Sequence, residues 1–432
     1  MKRIFLAIAV LCYTGAVYGQ DGGRIHRSEF VPFDTREDAD ALNRKNTDKY
    51  LVFAPGLLND GEEVLGIGNV VNLPNGWFDS FIYLHLENTG TAYTLRVNDR
   101  TVAVVEDPFA PADFDLTPYV KQGDNLILLE LHESNTPELQ KGFTPTPVKP
   151  FTNSYLFAQE KRSIRDFNVA LIPDSTRKFG VLDLEVIVQN GYNYEEPITV
   201  GFDIYAPNGK LLDFSVNDIT VPGRSLDTVR FSPYIYHTYE NSWGAKGAAP
   251  LYRVMLYTKR KGVFKEYIPL KVGFGKTEMK DGKITRFDKP VTIVSERYNA
   301  AADAAATRKE LLALKKKGIN TIWPNAPQPY WFYNLCDDQA NINAPEKRDD
   351  RTTGGTPSND PRLADEYLER VRNMYYRSRN HTCIIGFALG GESGNGYNMY
   401  KAYQWLKSVE PSRPVICIDA DGEWNTDLEI VP

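Results

Sequence analysis

Hydrophobic and polar positions fall into three regimes along the chain. From Gln20 to Ile164, short apolar runs are separated by turn signals. Examples are Phe81-Ile82-Tyr83-Leu84-His85-Leu86, Tyr93-Thr94-Leu95-Arg96-Val97 and Leu126–Leu131, with a turn at Asn98-Asp99. A period of two with frequent Gly, Asn and Asp predicts an antiparallel β-sandwich. The Pro-rich stretch Thr144–Pro150 reads as a surface loop or linker. From Arg165 to about Gly273 the alternation continues through Val181–Val188, Ile198–Ile204 and Leu251–Tyr257, with a turn at Pro207-Asn208-Gly209. About a hundred residues of short strands without helical periodicity predict an immunoglobulin-like sandwich, here without the paired cysteines of antibody domains.

After Phe274 the pattern changes to strands alternating with helices. Ala301–Lys317 is an Ala/Leu/Lys helix stopped by Gly318, and Ile319-Asn320-Thr321-Ile322-Trp323 is a short buried strand. Pro361–Arg379 is an amphipathic helix capped by Asp360. Strand Ile384–Leu389, helix Tyr397–Val409, strand Val415–Ile418 and strand Leu428–Val431 follow. This alternation predicts parallel strands in a barrel. Eight β/α units take ~250 residues, more than lie between Gly275 and Pro432, so the expected barrel is incomplete. The apolar run at Leu428–Pro432 suggests that sequence continues beyond it.

Composition narrows the partners. With 50 Lys plus Arg against 56 Asp plus Glu, the net charge of −6 argues against a sequence-independent nucleic-acid binder. Met1–Gly19 has Lys2-Arg3, the apolar run Ile4–Leu11 and small or neutral residues to Val17-Tyr18-Gly19, the layout of a secretory signal peptide cleaved near Gln20. No segment has the roughly 18–20 apolar residues of a membrane span. The mature chain is expected to be periplasmic or secreted. Cys336, Cys383 and Cys417 show no disulfide or metal spacing and read as buried thiols.

The segment Ile384-Ile385-Gly386-Phe387-Ala388-Leu389-Gly390-Gly391-Glu392-Ser393-Gly394-Asn395-Gly396 carries the most chemistry. An apolar strand runs into a glycine-rich loop with one carboxylate, and barrel enzymes place catalytic groups at the carboxyl ends of strands. Glu392 is therefore where an acid or base is expected. The flanking glycines, Gly391 among them, let a ligand approach closely.

That loop, together with Asn380-His381 and Trp405-Leu406-Lys407-Ser408-Val409-Glu410-Pro411-Ser412-Arg413-Pro414-Val415, resembles glycoside hydrolase family 2, specifically its β-galactosidases. Ala112-Asp113-Phe114-Asp115-Leu116-Thr117-Pro118-Tyr119-Val120 resembles the family's jelly-roll sugar-binding domain. Pro250-Leu251-Tyr252 and Val272-Gly273-Phe274 resemble the end of its immunoglobulin-like domain. The resemblance implies a multidomain chain, mainly β and then α/β. Residues 1–19 form the signal peptide, 20–164 a jelly-roll sandwich, 165–274 an immunoglobulin-like sandwich, and 275–432 the N-terminal part of a (β/α)8 TIM barrel. It implies an oligosaccharide or glycoside substrate and retaining hydrolysis by two carboxylates at roughly 5 Å separation. Glu392 matches the acid/base, and the family's nucleophile matches nothing in this chain.

Several positions depart from the family. Gly391 replaces the Asn that binds the sugar 2-hydroxyl, and Glu296-Arg297-Tyr298-Asn299 replaces Asn-Arg-His-Glu. Trp323 and Ala326 stand where the family has Arg and His. Asn343 and Pro345 replace magnesium ligands, so neither a metal site nor any other cofactor is expected. Leu335-Cys336-Asp337 runs directly into Asp338-Gln339-Ala340-Asn341, omitting the family's third strand. These losses leave open a non-catalytic glycan binder and make this chain by itself an inactive one.

Remaining sugar contacts are Trp323 as a stacking face, Asn395 in place of a family histidine, and Asp338 at a strand end, for which a capping role is equally compatible. Tyr330, Trp331 and Tyr333 read as helical core. Lys347 with Arg348–Arg351 reads as a solvated loop. His85, His132 and His237 read as structural residues of strands. Nothing in the sequence fixes the oligomeric state.

Overall fold

The computed structural model describes residues 23–428 except 45–46, 61–62, 141–146, 245–247, 325–326, 340–341, 344–356 and 391–393. The stretch expected to be a signal peptide and the charged loop at 347–351 lie outside the described residues.

Two five-stranded antiparallel sheets face each other in the first part. One contains Tyr50–Val52, Ser80–Leu86, Ala112–Asp115 and Tyr155–Glu160 together with Arg24–Ile25; the other contains Gly56–Asp60, Glu63–Leu73, Tyr93–Val97, Arg100–Val105 and Gly123–Leu131. Asn98 and Asp99 both adopt positive φ, 50° and 63°, the geometry that lets a two-residue turn follow the strand twist. Ser80–Leu86 does not alternate, because both its faces are buried. Ile82, Leu84 and Leu86 enter the sandwich core, while Phe81 and Tyr83 join Tyr155, Phe157 and Val31 in a second cluster on the outer face. Tyr83 and Gln189 are hydrogen-bonded there, which attaches this outer face to the next sandwich.

That second sandwich is built from Arg162–Pro173, Gly180–Asn190 and Ser225–Phe231 against Glu196–Tyr205, Leu211–Val221, Leu251–Arg260 and Val263–Gly273. Its apolar core runs from Ile164 to Phe274. The crossover between sandwiches at Lys161 is clamped by Glu266. Its Oε2 accepts from Gln159 Nε2 at 2.8 Å, and its Oε1 accepts from Ile164 N at 2.7 Å. Burial without a cation raises the Glu266 carboxyl from 4.5 to about 7. The folded chain keeps this proton while the unfolded chain releases it. This group's stabilisation is complete below pH 4.5 and lost as pH rises to 7, about 3 kcal/mol in all. Glu266→Gln is expected to flatten the fall of melting temperature between pH 5 and 7; an unchanged slope refutes this assignment.

His85 belongs to a strand, but His132 follows one and His237 occupies an exposed turn at φ 58°. His85 is buried among Asp113 (3.0 Å), Glu87 (3.1 Å) and Glu29 (3.9 Å). Burial alone lowers its imidazole, but the Glu29 and Asp113 carboxylates raise it well above the ordinary value.

After a small antiparallel sheet at Glu278–Pro290, parallel strands appear in two groups. Ser295–Arg297, Thr321–Trp323 and Ile342–Asn343 form one, Phe387–Ala388 and Val415–Ile416 the other. They do not close into a barrel among the described residues. The third strand expected to be missing is present in short form: Ile342–Asn343 follows the helix Tyr330–Gln339 and pairs in parallel with Thr321-Ile322. Strand Ile384–Leu389 contracts to Phe387–Ala388, which among the described residues has a paired neighbour on one side only. Val415–Ile418 contracts likewise, as Ile418–Ala420 turns into a 3₁₀ helix. Leu428 lies in no strand, and the rest of that expected strand is outside the described residues.

The helices follow their signals. Ala304–Lys316 is capped by Asp303, whose Oδ1 accepts from Ala306 N. Asp360 caps Pro361–Leu363 in the same way, and Ala364–Ser378 continues from it. Tyr397–Val409 has the expected bounds. Cys336, Cys383 and Cys417 are buried free thiols. No helix of the described residues is long and apolar enough to cross a membrane.

The Asn380-His381 pair joins the parts. Asn380 Oδ1 accepts from Val169 N, and its Nδ2 donates to Ser28 Oγ at 2.7 Å. Arg379 Nη2 donates to Asp166 Oδ2, whose Oδ1 accepts from Ser28 N. His381 Nδ1 lies 2.7 Å from Asp337 Oδ2, and Asp337 Oδ1 accepts from Cys383 N. Arg379 and Asn380 thus dock the α/β part on the second sandwich and on the segment at Ser28, while His381 ties two pieces of the α/β part together.

Candidate functional site

The carboxyl ends of Phe387–Ala388 and Val415–Ile416 are side by side, because Phe387 N donates to Pro414 O and Leu389 N to Ile416 O, each at 2.9 Å. Gly386 permits this approach: a Cβ there would lie 2.8 Å from Pro414 Cγ and 2.9 Å from its carbonyl oxygen. Two loops rise from these ends, one at 390–396 and one at 417–427.

Gly391, Glu392 and Ser393 lie outside the described residues. Their flanks are fixed. Gly390 and Gly394 both have positive φ, 105° and 73°, a backbone region open to glycine. Gly394 N donates to Asp419 Oδ2 at 2.9 Å. The Asn395 and Asn425 side chains exchange amide hydrogen bonds, Asn395 Nδ2 to Asn425 Oδ1 at 3.0 Å and Asn425 Nδ2 to Asn395 Oδ1 at 2.7 Å. Cys417 Sγ also approaches Asn395 Oδ1, and burial, with Asp419 adding to it, pushes this thiol up to about 11. On the far side, Gly396 starts the helix Tyr397–Val409, and Asn359 Oδ1 accepts from Tyr397 N. The chain just after Glu392, from Gly394 to Tyr397, is thus anchored to the neighbouring βα-loop and to the 3₁₀ turn Pro357–Asn359.

The other sugar-contact expectations fare differently. Trp323 is only 1% exposed and packs on Ala388 and Ile416 between the strands, so it offers no stacking face. A tryptophan at the end of a strand whose neighbours are apolar is drawn inward by burial. The Asn395 amide is committed to Asn425 rather than free for a hydroxyl. Asp338 stands in the last turn of helix Tyr330–Gln339, not at a strand end; its side chain lies outside the described ones. Tyr333 is buried in that helix as expected, with Tyr330 and Trp331 half-buried.

Within the first parallel strand Glu296 is exposed; just after it Tyr298 donates to Glu310 and Asn299 accepts from Gln328. Among the described residues no three His, Cys, Asp or Glu are grouped to hold a metal. Asp419 and Asn425, the two anchors of the acid-bearing loop, were not singled out from the sequence; the Asp421-Gly422 turn signal beside them was the available cue. Asn425→Ala is expected to cost about 1–3 kcal/mol, since it strips the partner of a half-buried amide. Thermal denaturation checks this, and a neutral result would remove the anchoring role.

Residues 300–431 match the family described as "Glycosyl hydrolases family 2, TIM barrel domain". A β-galactosidase of Vibrio cholerae serotype O1 is 27% identical over 363 residues, covering 77% of this chain and 34% of that protein. A β-galactosidase of Streptococcus thermophilus is 25% identical over 397 residues, covering 81% and 36%. The chain spans about a third of the length of these curated relatives. Among solved structures, a Bacteroides uniformis β-glucuronidase superposes with a TM-score of 0.67 at 16% identity, covering 81% of this chain and 46% of that one. A β-glycosidase from Bacteroides vulgatus superposes at 0.64 with 21% identity, covering 84% and 48%.

Proposed function

This chain belongs to glycoside hydrolase family 2, and from that premise we propose that it contributes to an exported β-glycosidase of carbohydrate metabolism. The complete protein hydrolyses O-glycosidic bonds with retention of configuration. Glu392 protonates the leaving oxygen and then activates water. The nucleophilic carboxylate matches no position in these 432 residues, so the full reaction is assigned to the complete protein. We read the first sandwich as a jelly-roll sugar-binding-type module, the second as immunoglobulin-like, and the remainder as the N-terminal part of a barrel.

The observation that carries this reading is the double anchoring of the segment that follows Glu392, by Asp419 and Asn425 at Gly394-Asn395 and by Asn359 at Tyr397. A solvated surface glutamate needs no such frame, whereas an acid/base must be held within a fraction of an ångström. The test is hydrolysis of aryl β-glycosides by the complete protein, followed by NMR of the first-formed anomer. Retention supports the mechanism; inversion or no turnover on any glycoside refutes it. Export is tested separately, by whether the N-terminus of the protein in the exported fraction lies near Gln20.

A further inference from the structure

A small cavity lies where the second sandwich meets the α/β part. Strand Arg162–Pro173 forms one wall at Asn168–Leu171, and Lys276, Arg379 and Arg413 stand in the other. Its volume of about 20 Å³ is room for one water or one ion of similar size. Charge is distributed unevenly around it: three lining residues are cationic, and no Asp or Glu is among the lining residues. The counter-ions hold these cations without lining the cavity. Glu410 accepts from Lys276 Nζ at 3.1 Å and from Arg413 Nε at 2.9 Å, and Asp166 Oδ2 accepts from Arg379 Nη2 at 2.7 Å. Asp183 is the next carboxylate that Lys276 feels, and His381, also in the wall, is taken up by Asp337.

The donors are not all used. Arg379 has only 8% of its side chain exposed; its Nη2 is spent on Asp166 and on Phe167 O, and its buried Nε has no acceptor. The guanidinium lies over the rings of Tyr375 and Tyr376, at 5.6 and 4.8 Å, which leaves the missing acceptor unreplaced. A buried N–H left in this way costs at least as much as a lost hydrogen bond. Thr382 Oγ1 accepts from Gly273 N, so its own hydrogen is left to donate. Burial and the Arg413 charge push the Lys276 ammonium below its ordinary value, with Glu410 opposing them, as expected where positive charge is in excess.

We propose that this cavity is a site for a single chloride-sized anion, held by the Arg379 Nε–H between Lys276 and Arg413, and that the bound anion strengthens the docking of the α/β part on the second sandwich. Water would satisfy the orphan donor and leave the charge uncompensated; a cation would meet three like charges. Phosphate, sulfate and carboxylates need several times the space. The proposal is independent of the role of Glu392.

The test is X-ray diffraction from crystals of the protein in sodium bromide, collected at the bromine edge, with melting curves in sodium chloride, bromide and gluconate at one ionic strength. An anomalous peak is expected in the cavity beside Arg379 Nε. The melting temperature is expected to rise saturably by about 2 °C when halide replaces gluconate, the response of a site filled to about ten times its Kd. Arg379→Gln removes the donor and a charge, and is expected to abolish this rise. Because that variant also leaves Asp166 without its partner, Ala170→Val provides a second arm: it keeps every charge and narrows the cavity, and is expected to lose the halide response while remaining folded. Density without an anomalous signal in the cavity identifies a water and overturns the proposal. A melting response equal in gluconate, or one retained in Ala170→Val, overturns it as well.

Discussion

Replacing Glu392 by Gln is expected to lower glycoside hydrolysis by the complete protein by about 10³-fold, the central value for a lost general acid. The amide has the shape of the carboxyl but no transferable proton. The substitution changes none of the hydrogen bonds described just after it in the chain, those from Gly394, Tyr397 and the Asn395–Asn425 pair. The effect must therefore depend on the leaving group. Poor leaving groups, such as a sugar alkoxide, need the proton and lose the full factor; an acidic phenol departs without it and loses much less. The measurement is kcat/KM against leaving-group acidity for the variant and its parent. A loss that is uniform across leaving groups would assign Glu392 to positioning. Azide adds a second readout: in Glu392→Ala it is expected to restore turnover and yield the β-glycosyl azide.

Glu410→Ala is expected to cost about 3–5 kcal/mol, the penalty for leaving a buried charge without its partner. Glu410 closes the turn between helix Tyr397–Val409 and strand Val415–Ile416. Arg413 donates to its Oε2 from Nη2 at 2.5 Å and Nε at 2.9 Å, Lys276 Nζ reaches Oε1 at 3.1 Å, and Ser412 Oγ donates to the same oxygen. Burial opposes ionisation here, but Arg413 and Lys276 outweigh it and hold the carboxyl far below its ordinary 4.5. The stabilisation is therefore present above pH 4.5 and is lost as pH falls toward the folded-state value. The alanine variant loses the Arg413 neutraliser at the foot of the site. Its melting transition should move down at pH 7 and depend less on pH below 4.5. Pairing Glu410→Met with Arg413→Met is expected to recover part of the loss, since the deeply buried Arg413 charge is then gone and only Lys276, 27% exposed, is left without its carboxylate. A double variant as unstable as Glu410→Ala would place the energy in packing instead.

Much of this architecture is legible in the chain, and the places where it is not have physical causes. The strands around Asn98-Asp99 and Pro207-Asn208-Gly209 announce themselves because one face is wet and their turns need positive φ. Ser80–Leu86 breaks the alternation because its outer face is covered by a second sandwich, information that lies a hundred residues away at Gln189. Helix Tyr397–Val409 is readable to its ends, since its amphipathic period and the glycine before it are local. The parallel strands are overestimated: their length depends on a neighbour on each edge, which sequence pattern does not report. At the site, the glycine-rich loop marks Glu392, but its anchors Asp419 and Asn425 belong to an aperiodic segment. Trp323 and Trp424 show the same limit from opposite sides. One is wholly buried and the other half exposed, and only the packing of Ala388 and Ile416, or of Tyr400 and Tyr403, tells them apart.

The junction at Ser28 has a consequence in time. Its hydroxyl accepts from Asn380, 352 residues later, and its amide donates to Asp166, 138 residues later. On a ribosome adding about 5–20 residues per second, the first of these partners is roughly 20–70 s behind Ser28. Both sandwiches can complete their ladders in that interval, but the segment around Ser28 has to wait with part of its bonding unmade until the α/β part is synthesised. For that interval its unmade bonds leave it accessible in a way the finished ladders on either side are not.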